Sequence, residues 1–521
     1  MELEWRRRKK RSSASRRAMV VEVAAEDRLS SLPDDVLHSI LRGLPVKHAA
    51  RTSALSRRWA HMWLHALAAY PVIDLADRDF ALGQSPARAS ATVSRCLRLH
   101  AAHGGPLDVF RVAFPYPSRG LGPDIFRWLA AAVGRGAREV ELYLTPPQGY
   151  RAMDADTSAF FMLPRYLLLA KNSMERLTLC RCSLRDVPPG AAGLAGLRSL
   201  SLSHADVTDK AVRDVLSNCR SLEFLSLRSC NLLWRVKIAG ERLRGLEIVS
   251  CQDVLELQVT APALESFTFH GDIISLSYDA LTVRFLSATP ALRHAYVSHL
   301  GFSYYDDYHH HGPAYYDVLN CVAHATTLTI CSVGLQHIEW TRRFGHTMDV
   351  HTRDVRTMDV PNLQELQLVM ASLGDNDVDR ITGLFEFIKS PILDRLFIRL
   401  PGGSPRGKSV VLATAPLCSD EGNMDVVLDH LTFIKVVNFR GTVCELRLLK
   451  LLMNRAPALE QLVLVTVEGV GDSGDEQEQL KIIQGQVSAM RTAPPAARVT
   501  VCRPSEDGSR NPAHTRFYHE E

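Results

Sequence analysis

One short pattern returns through most of this 521-residue chain: an apolar residue, two of any kind, an apolar residue, one of any kind, and a third apolar residue. It reads MERLTL from Met174, LRSLSL from Leu197, LEFLSL from Leu222, LRGLEI from Leu243 and LESFTF from Leu264, with successive starts 23, 25, 21 and 21 residues apart. Looser copies begin at Leu107, Ala137, Leu292, Ala325, Leu363, Leu393 and Leu459. In LRSLSL, strand alternation puts Leu200 and Leu202 on one face and the residues between them on the other. Leu197 closes the same apolar face. A single unit of this size cannot bury that face, so the units must stack into one continuous core.

A period of 20–29 residues with this spacing is the leucine-rich-repeat signature. The stretches between strands read as helix-capable. In VTDKAVRDVLSNC at 207–219, Thr208 is placed to cap, and Val212, Val215 and Leu216 share an inward face. Cys182, Cys230 and Cys251 fall at the ninth position of their repeats, where a side chain points into the turn and donates to neighbouring loop carbonyls. Eleven cysteines without dense spacing, and no Asn-x-Ser/Thr sequon, point to a reducing compartment. Cys180-Arg-Cys182 lacks the second half that a zinc site needs.

Two motifs resemble chemistry without its context. GGSPRGKS at 402–409 fits the phosphate-loop pattern through Gly402, Gly407, Lys408 and Ser409. A strand, LFIRL, precedes it, but the following VVLATAPLC is β-prone and stopped by Pro416, with no helix to face a phosphate. It reads as a glycine-rich loop between repeats. YYDDYHHHGPAYY at 304–316 carries three adjacent histidines, which cannot easily converge on one ion, and Gly312-Pro313 reads as loop punctuation. A tyrosine-rich surface loop suits partner binding. No constellation argues for an active site or a cofactor.

The chain's net charge of +4 is uneven. Residues 1–17 carry +6 through Arg6, Arg7, Arg8, Lys9, Lys10, Arg11, Arg16 and Arg17 against Glu2 and Glu4, which leaves −2 for the rest. The near-neutral body implies no bulk attraction to nucleic acid. The basic cluster reads as a solvated tail or a nuclear address. The apolar run Ala18–Ala25 is short and broken by Glu22, so it suits neither a signal peptide nor a membrane span.

Ahead of the repeats stands LPDDVLHSILRGLPVKHAARTSALSRRWAHMW, from Leu32 to Trp63. Ser30 or Ser31 is placed to cap a helix, Pro33 suits its first turn, and Asp34 and Asp35 complement its positive end. Val36, Leu37, Ile40, Leu41 and Leu44 form an apolar stripe that Gly43 and Pro45 end. A second helix follows with Ala49, Ala50 and Leu55, then Trp59 and Trp63 four apart on one face.

These residues resemble an F-box over 28–70, with His48 and Ala60 departing from the family's usual residues. LDHLTFIKVVNFRGTVCELRLLKLLMNRAPALEQLVLV at 428–465 resembles the FBD region of plant F-box proteins, through Lys435-Val436-Val437, Phe439, Gly441, Glu445, Leu449, Leu452, Ala456-Pro457 and Leu459-Glu460. The resemblance implies an α/β chain. A basic disordered tail (1–26) leads into an F-box (27–70), then an irregular leucine-rich-repeat solenoid of short parallel strands with helices on the outer face (71–420). An FBD-like continuation (421–502) and a disordered tail (503–521) follow. It also implies a non-enzymatic substrate-recognition subunit of a cullin ubiquitin ligase, nuclear or cytoplasmic, with a Skp-family adaptor and a target protein as partners. The adaptor-binding residues so implied are Leu32, Pro33, Val36, Leu37, Ile40, Leu41, Leu44, Pro45, Ala49, Leu55, Trp59 and Trp63. The alternatives are a leucine-rich scaffold or sensor without ligase recruitment, and a nucleotide-binding protein using Gly402–Ser409.

Overall fold

The computed structural model describes residues 29, 31–44, 46–76, 85–115, 121–145, 160–272, 281–299, 312–344, 357–402, 426–467, 475–490 and 497–518. The basic tail 1–26, Pro45, the histidines at 309–311 and the phosphate-loop residues 403–409 lie outside the described residues.

Every repeat copy found in the sequence is a strand, and all join one sheet of fifteen parallel strands in simple sequence order. The strands are β1 (Val72–Leu75), β2 (Val109–Pro115), β3 (Glu139–Thr145), β4 (Arg176–Cys180), β5 (Ser199–Ser203), β6 (Phe224–Arg228), β7 (Gly245–Val249) and β8 (Ser266–Gly271), then β9 (His294–His299), β10 (Thr327–Cys331), β11 (Glu365–Val369), β12 (Arg395–Arg399), β13 (Phe433–Phe439), β14 (Gln461–Thr466) and β15 (Arg498–Cys502). Leu197, Leu200 and Leu202 are buried, as are their counterparts in neighbouring repeats. The FBD-like stretch supplies β13, β14 and the helix between them, so it extends the same sheet.

The strands β4 to β7 each end in a turn of left-handed backbone. Arg181, His204, Ser229 and Ser250 have φ of 59°, 47°, 47° and 54°, at the spacing of the repeats. The turn carries the next side chain under the sheet. There Cys230 Sγ lies 3.6 Å from Leu202 O, and Cys251 Sγ 3.5 Å from Leu227 O, as the ninth-position reading expects. Burial pushes the Cys182 thiol upward, which suits a structural role.

One face of the sheet packs against helices in most repeats. In Asp209–Asn218, Thr208 Oγ1 accepts from Ala211 N at 3.1 Å, and Val212, Val215 and Leu216 are buried. In the central repeats strands take the place of helices on that side. Arg235–Ala239, Glu256–Thr260 and Thr282–Phe285 form a parallel three-stranded sheet on that side instead. The repeats that carry the first two of these strands are 21 residues long, too short for a helix and two turns, and RVKIA alternates exposed with buried at a period of two.

Two further corrections concern loops. Gly312-Pro313 opens the helix Gly312–Cys321, where proline's missing N–H costs nothing. Tyr315 of that helix is fully buried and donates to Val297 O at 3.3 Å, so part of the tyrosine-rich stretch is core and not surface. Residues 503–518, read as a disordered tail, fold back across the sheet's open face. Charge and aromatic contacts described below hold them there; residues 519–521 lie outside the described residues.

The leading segment forms α1 (Asp34–Arg42), α2 (Val46–Arg51), a 3₁₀ turn (Thr52–Ala54) and α3 (Trp59–Ala69), one helix more than its punctuation suggests. Pro33, and not a serine, occupies the N-cap of α1, with no side-chain cap bond. Its fixed φ holds the entering chain extended, so the helix starts at Asp34.

Candidate functional site

The apolar stripe of α1 divides into two rows. Leu37 and Leu41 point inward and join Ala49, Trp59, Met62 and Ala66 in a small separate core, with Leu32 and Trp63 packed against it. Val36, Ile40 and Leu44 lie one position round the helix and face out at 42%, 40% and 37% exposure, and Leu55 on the connector reaches 57%. Exposed β-branched and leucine side chains at i, i+4 and i+8 are a second apolar edge outside the core that the described residues form. Of the twelve adaptor-binding residues the resemblance implies, Leu37, Leu41, Ala49 and Trp59 are buried in this core. They fill the interior because three short helices have little else to bury. Pro33 is exposed, Leu32 and Trp63 are half-buried, and Pro45 lies outside the described residues. Asp34 pairs with Arg58 across the helices, and that hydrogen bond holds its carboxyl below the usual range.

Trp63 also touches the core of the solenoid. Nearby, His100 Nε2 bonds Tyr70 O at 2.8 Å, while Arg135 donates to His100 Nδ1 at 2.8 Å. Since arginine can only donate, Nδ1 accepts, and Nε2 carries the proton toward Tyr70. The chain leaving α3 is thus tied to the first two repeats. A cleft of about 740 Å³ opens beside this joint, lined by Leu44, Trp63, Tyr70, Asp74, Arg111 and Glu141 among others.

The sheet's open face is the second candidate surface. Strand register aligns Asp74, Arg111, Glu141, Thr178, Ser201, Ser226 and Glu247 in one row, continued by Thr268, Tyr296, Thr329, Gln367, Phe397 and Lys435. Its first end is charged and open: Arg111 lies 3.2 Å from Asp74 and 3.5 Å from Glu141, and also pairs with Glu139. Burial outweighs Arg111 and holds the Glu141 carboxyl above the usual range. The far end is covered by residues 503–518. Lys435 is 2% exposed and meets Asp507 at 2.6 Å. Ala513 N donates to Glu365 Oε1 at 2.7 Å, and His514 Nδ1 lies 2.7 Å from Thr329 Oγ1. Tyr518 packs on Val249 and Tyr296 and stacks on His270. Sequence reasoning missed this, because His514, Phe517 and Tyr518 form no periodic pattern.

It also missed a charge ladder that was legible. Arg138, Glu175, Arg198, Glu223, Arg244, Glu265 and Arg293 hold the same position of successive repeats with alternating sign. Arg198 meets Glu223 at 3.3 Å, and Arg244 grips Glu265 at 2.8 Å.

The family model described as the F-box domain matches residues 29–65, and the one described as the At1g61320/AtMIF1 LRR domain matches residues 116–299. The chain carries an F-box and a leucine-rich-repeat array over these residues. Among curated Arabidopsis thaliana proteins, the F-box protein At5g03100 is 31% identical over 227 residues, 43% of this chain and 63% of that protein. The putative FBD-associated F-box protein At5g56440 is 30% identical over 250 residues, 46% and 54% of the two chains. The F-box/LRR-repeat protein At3g03360 is 29% identical over 248 residues, 46% of each. The matches thus span about half the length of these relatives. Among the described residues no helix is long and apolar enough to cross a membrane.

Proposed function

We propose that this chain is the substrate-recognition subunit of a cullin-based ubiquitin ligase: its F-box docks a Skp-family adaptor, and its solenoid holds a target protein. The supporting observation is the outward row of α1. Leu37 and Leu41 complete the F-box core, yet Val36, Ile40 and Leu44 keep a parallel apolar edge in water. A partner helix that covers such an edge gains about 25 cal/mol per Å² of apolar surface, with a few anchors dominating. The chain itself performs no chemistry in this reading, and the segment 421–502 is an FBD-like continuation of the solenoid. The chain works in the nucleus or the cytoplasm in this reading, and the basic cluster Arg6–Arg17 suits a nuclear address or a solvated tail.

The test separates edge from core. Ile40→Glu leaves the helical core packed and is expected to abolish co-purification of a Skp-family adaptor and cullin, with the circular dichroism spectrum unchanged. Retention of both by this variant overturns the reading. Failure of the wild-type chain to bind any such adaptor, with a target still held, favours the scaffold alternative instead.

A further inference from the structure

We propose that the open face of the sheet from β6 to β13 is a groove for an extended peptide carrying a carboxylate and, about eleven residues on, an aromatic ring, and that the chain's own residues 503–518 occupy it as an internal competitor. The proposal rests on the reading of the solenoid as the target-holding unit and adds the chemistry of what it holds. Four observations carry it.

First, the segment takes the path that a bound peptide would take. It leaves β15, turns once through Pro504–Glu506, and runs back over the sheet from β13 to β8, with Phe517 turned aside to the Arg399 guanidinium of β12 at 4.2 Å. Asp507 sits on Lys435 of β13, Ala513 on Glu365 of β11, His514 on Thr329 of β10, and Tyr518 between Tyr296 of β9 and His270 of β8. Five strand spacings of roughly 4.8 Å make about 24 Å. Eleven extended residues reach about 36 Å, so the segment crosses without strain.

Second, its hold is made of side chains on the groove and few backbone bonds of its own. An ammonium as buried as that of Lys435 needs a carboxylate and gets one from Asp507, with Arg510 O as a second acceptor at 3.2 Å. Any peptide supplying a carboxylate there satisfies the same need. Third, the aromatic end enters a lined seat. Tyr518 meets Tyr296 edge-on at 5.1 Å, stacks on His270 at 5.7 Å and lies 5.0 Å beneath the Arg228 guanidinium. Fourth, the segment is a covering and not a repeat. It adds no strand to the sheet, and Asn511, Ala513, Thr515 and Arg516 stay exposed. A tethered ligand of this kind acts at millimolar effective concentration, so a free peptide has to outcompete it or enter when it lifts.

The test uses the full chain and a fluorescent synthetic peptide copying residues 503–518. The wild type is expected to bind it at least tenfold more weakly than the strap-released variant Asp507→Lys/Tyr518→Ala. Adding Lys435→Met to the released variant, or replacing Asp507 by Asn or Tyr518 by Ala in the peptide, should each weaken binding about tenfold. Equal binding by wild type and released variant, no binding by either, or indifference to Lys435 overturns the proposal. Should the released variant fail to fold, trypsin reports on the wild type. Cleavage after Arg510 and Arg516 should be at least tenfold slower in the chain than in the free peptide, and equal rates overturn the proposal. Adaptor capture is scored separately, so its loss alone counts against the ligase reading and not against the groove.

Discussion

At the scale of single residues, neighbours on one helix face carry opposite consequences. Leu37→Ala empties a site that is fully buried, at a cost of about 2–5 kcal/mol, which three short helices cannot absorb. Adaptor binding should fall together with the melting of the F-box helices. Ile40→Glu should remove binding alone. A thermal melt beside each pull-down tells the two apart. His514 gives a pH prediction. Burial first, and His294 second, push its ring down to about 4, where an exposed histidine titrates near 6.5. Tyr296, Thr329, and Glu365 with its partner Arg395 also face it or its neighbour. The native state therefore binds fewer protons than the unfolded one between those values. The contribution is complete above about 6.5 and is lost as pH falls toward 4. The stability of wild type relative to His514→Gln should shrink across that window in denaturant titrations; a difference that stays constant with pH removes the role given to burial.

At the scale of elements, the charge ladder is the feature most open to measurement. Each pair is exposed and contributes little by itself, but reversing one rung faces it with two like charges. Arg244→Glu, between Glu223 and Glu265, should lower the denaturation midpoint at low salt and much less at about 1 M salt. An unchanged denaturation midpoint at low salt would remove the ladder's role. Close packing sets a harder limit at Gly193: a Cβ there would lie 2.3 Å from Leu167 O, so Gly193→Ala must shift backbone. What could be read from the sequence follows the same physics. Strands were legible because Leu197, Leu200 and Leu202 repeat in register with every neighbour. The Thr208 cap was legible because capping is local. The outer strands of the central repeats were not, since a five-residue apolar alternation competes there with weak helix propensity. Nor was the split of α1, because Val36 and Leu37 look alike until Trp59 arrives to bury one of them.

At the scale of the whole molecule, two cores meet at one tryptophan. The F-box core is too small to stand alone, and the solenoid core needs a cap over the exposed edge of β1. Trp63 packs against both, and the Tyr70–His100–Arg135 chain fixes the backbone just beyond it. The cap and the array should therefore unfold together. A solenoid otherwise gains stability from nearest neighbours only, so the coupling passes through this joint, where α3 also packs on the helix Pro86–His103 and Trp63 links the two cores. Trp63→Ala is expected to cost about 2 kcal/mol, less than a fully buried tryptophan would. More tellingly, it should split one calorimetric transition into two, the smaller from the helices. Arg135→Ala should act in the same direction through His100, which loses the donor that fixes its tautomer. If Trp63→Ala lowers the melting temperature but leaves a single transition, the helices and the repeats are joined by something other than this side chain. The orientation of the outward edge of α1 relative to the open sheet would then owe nothing to it.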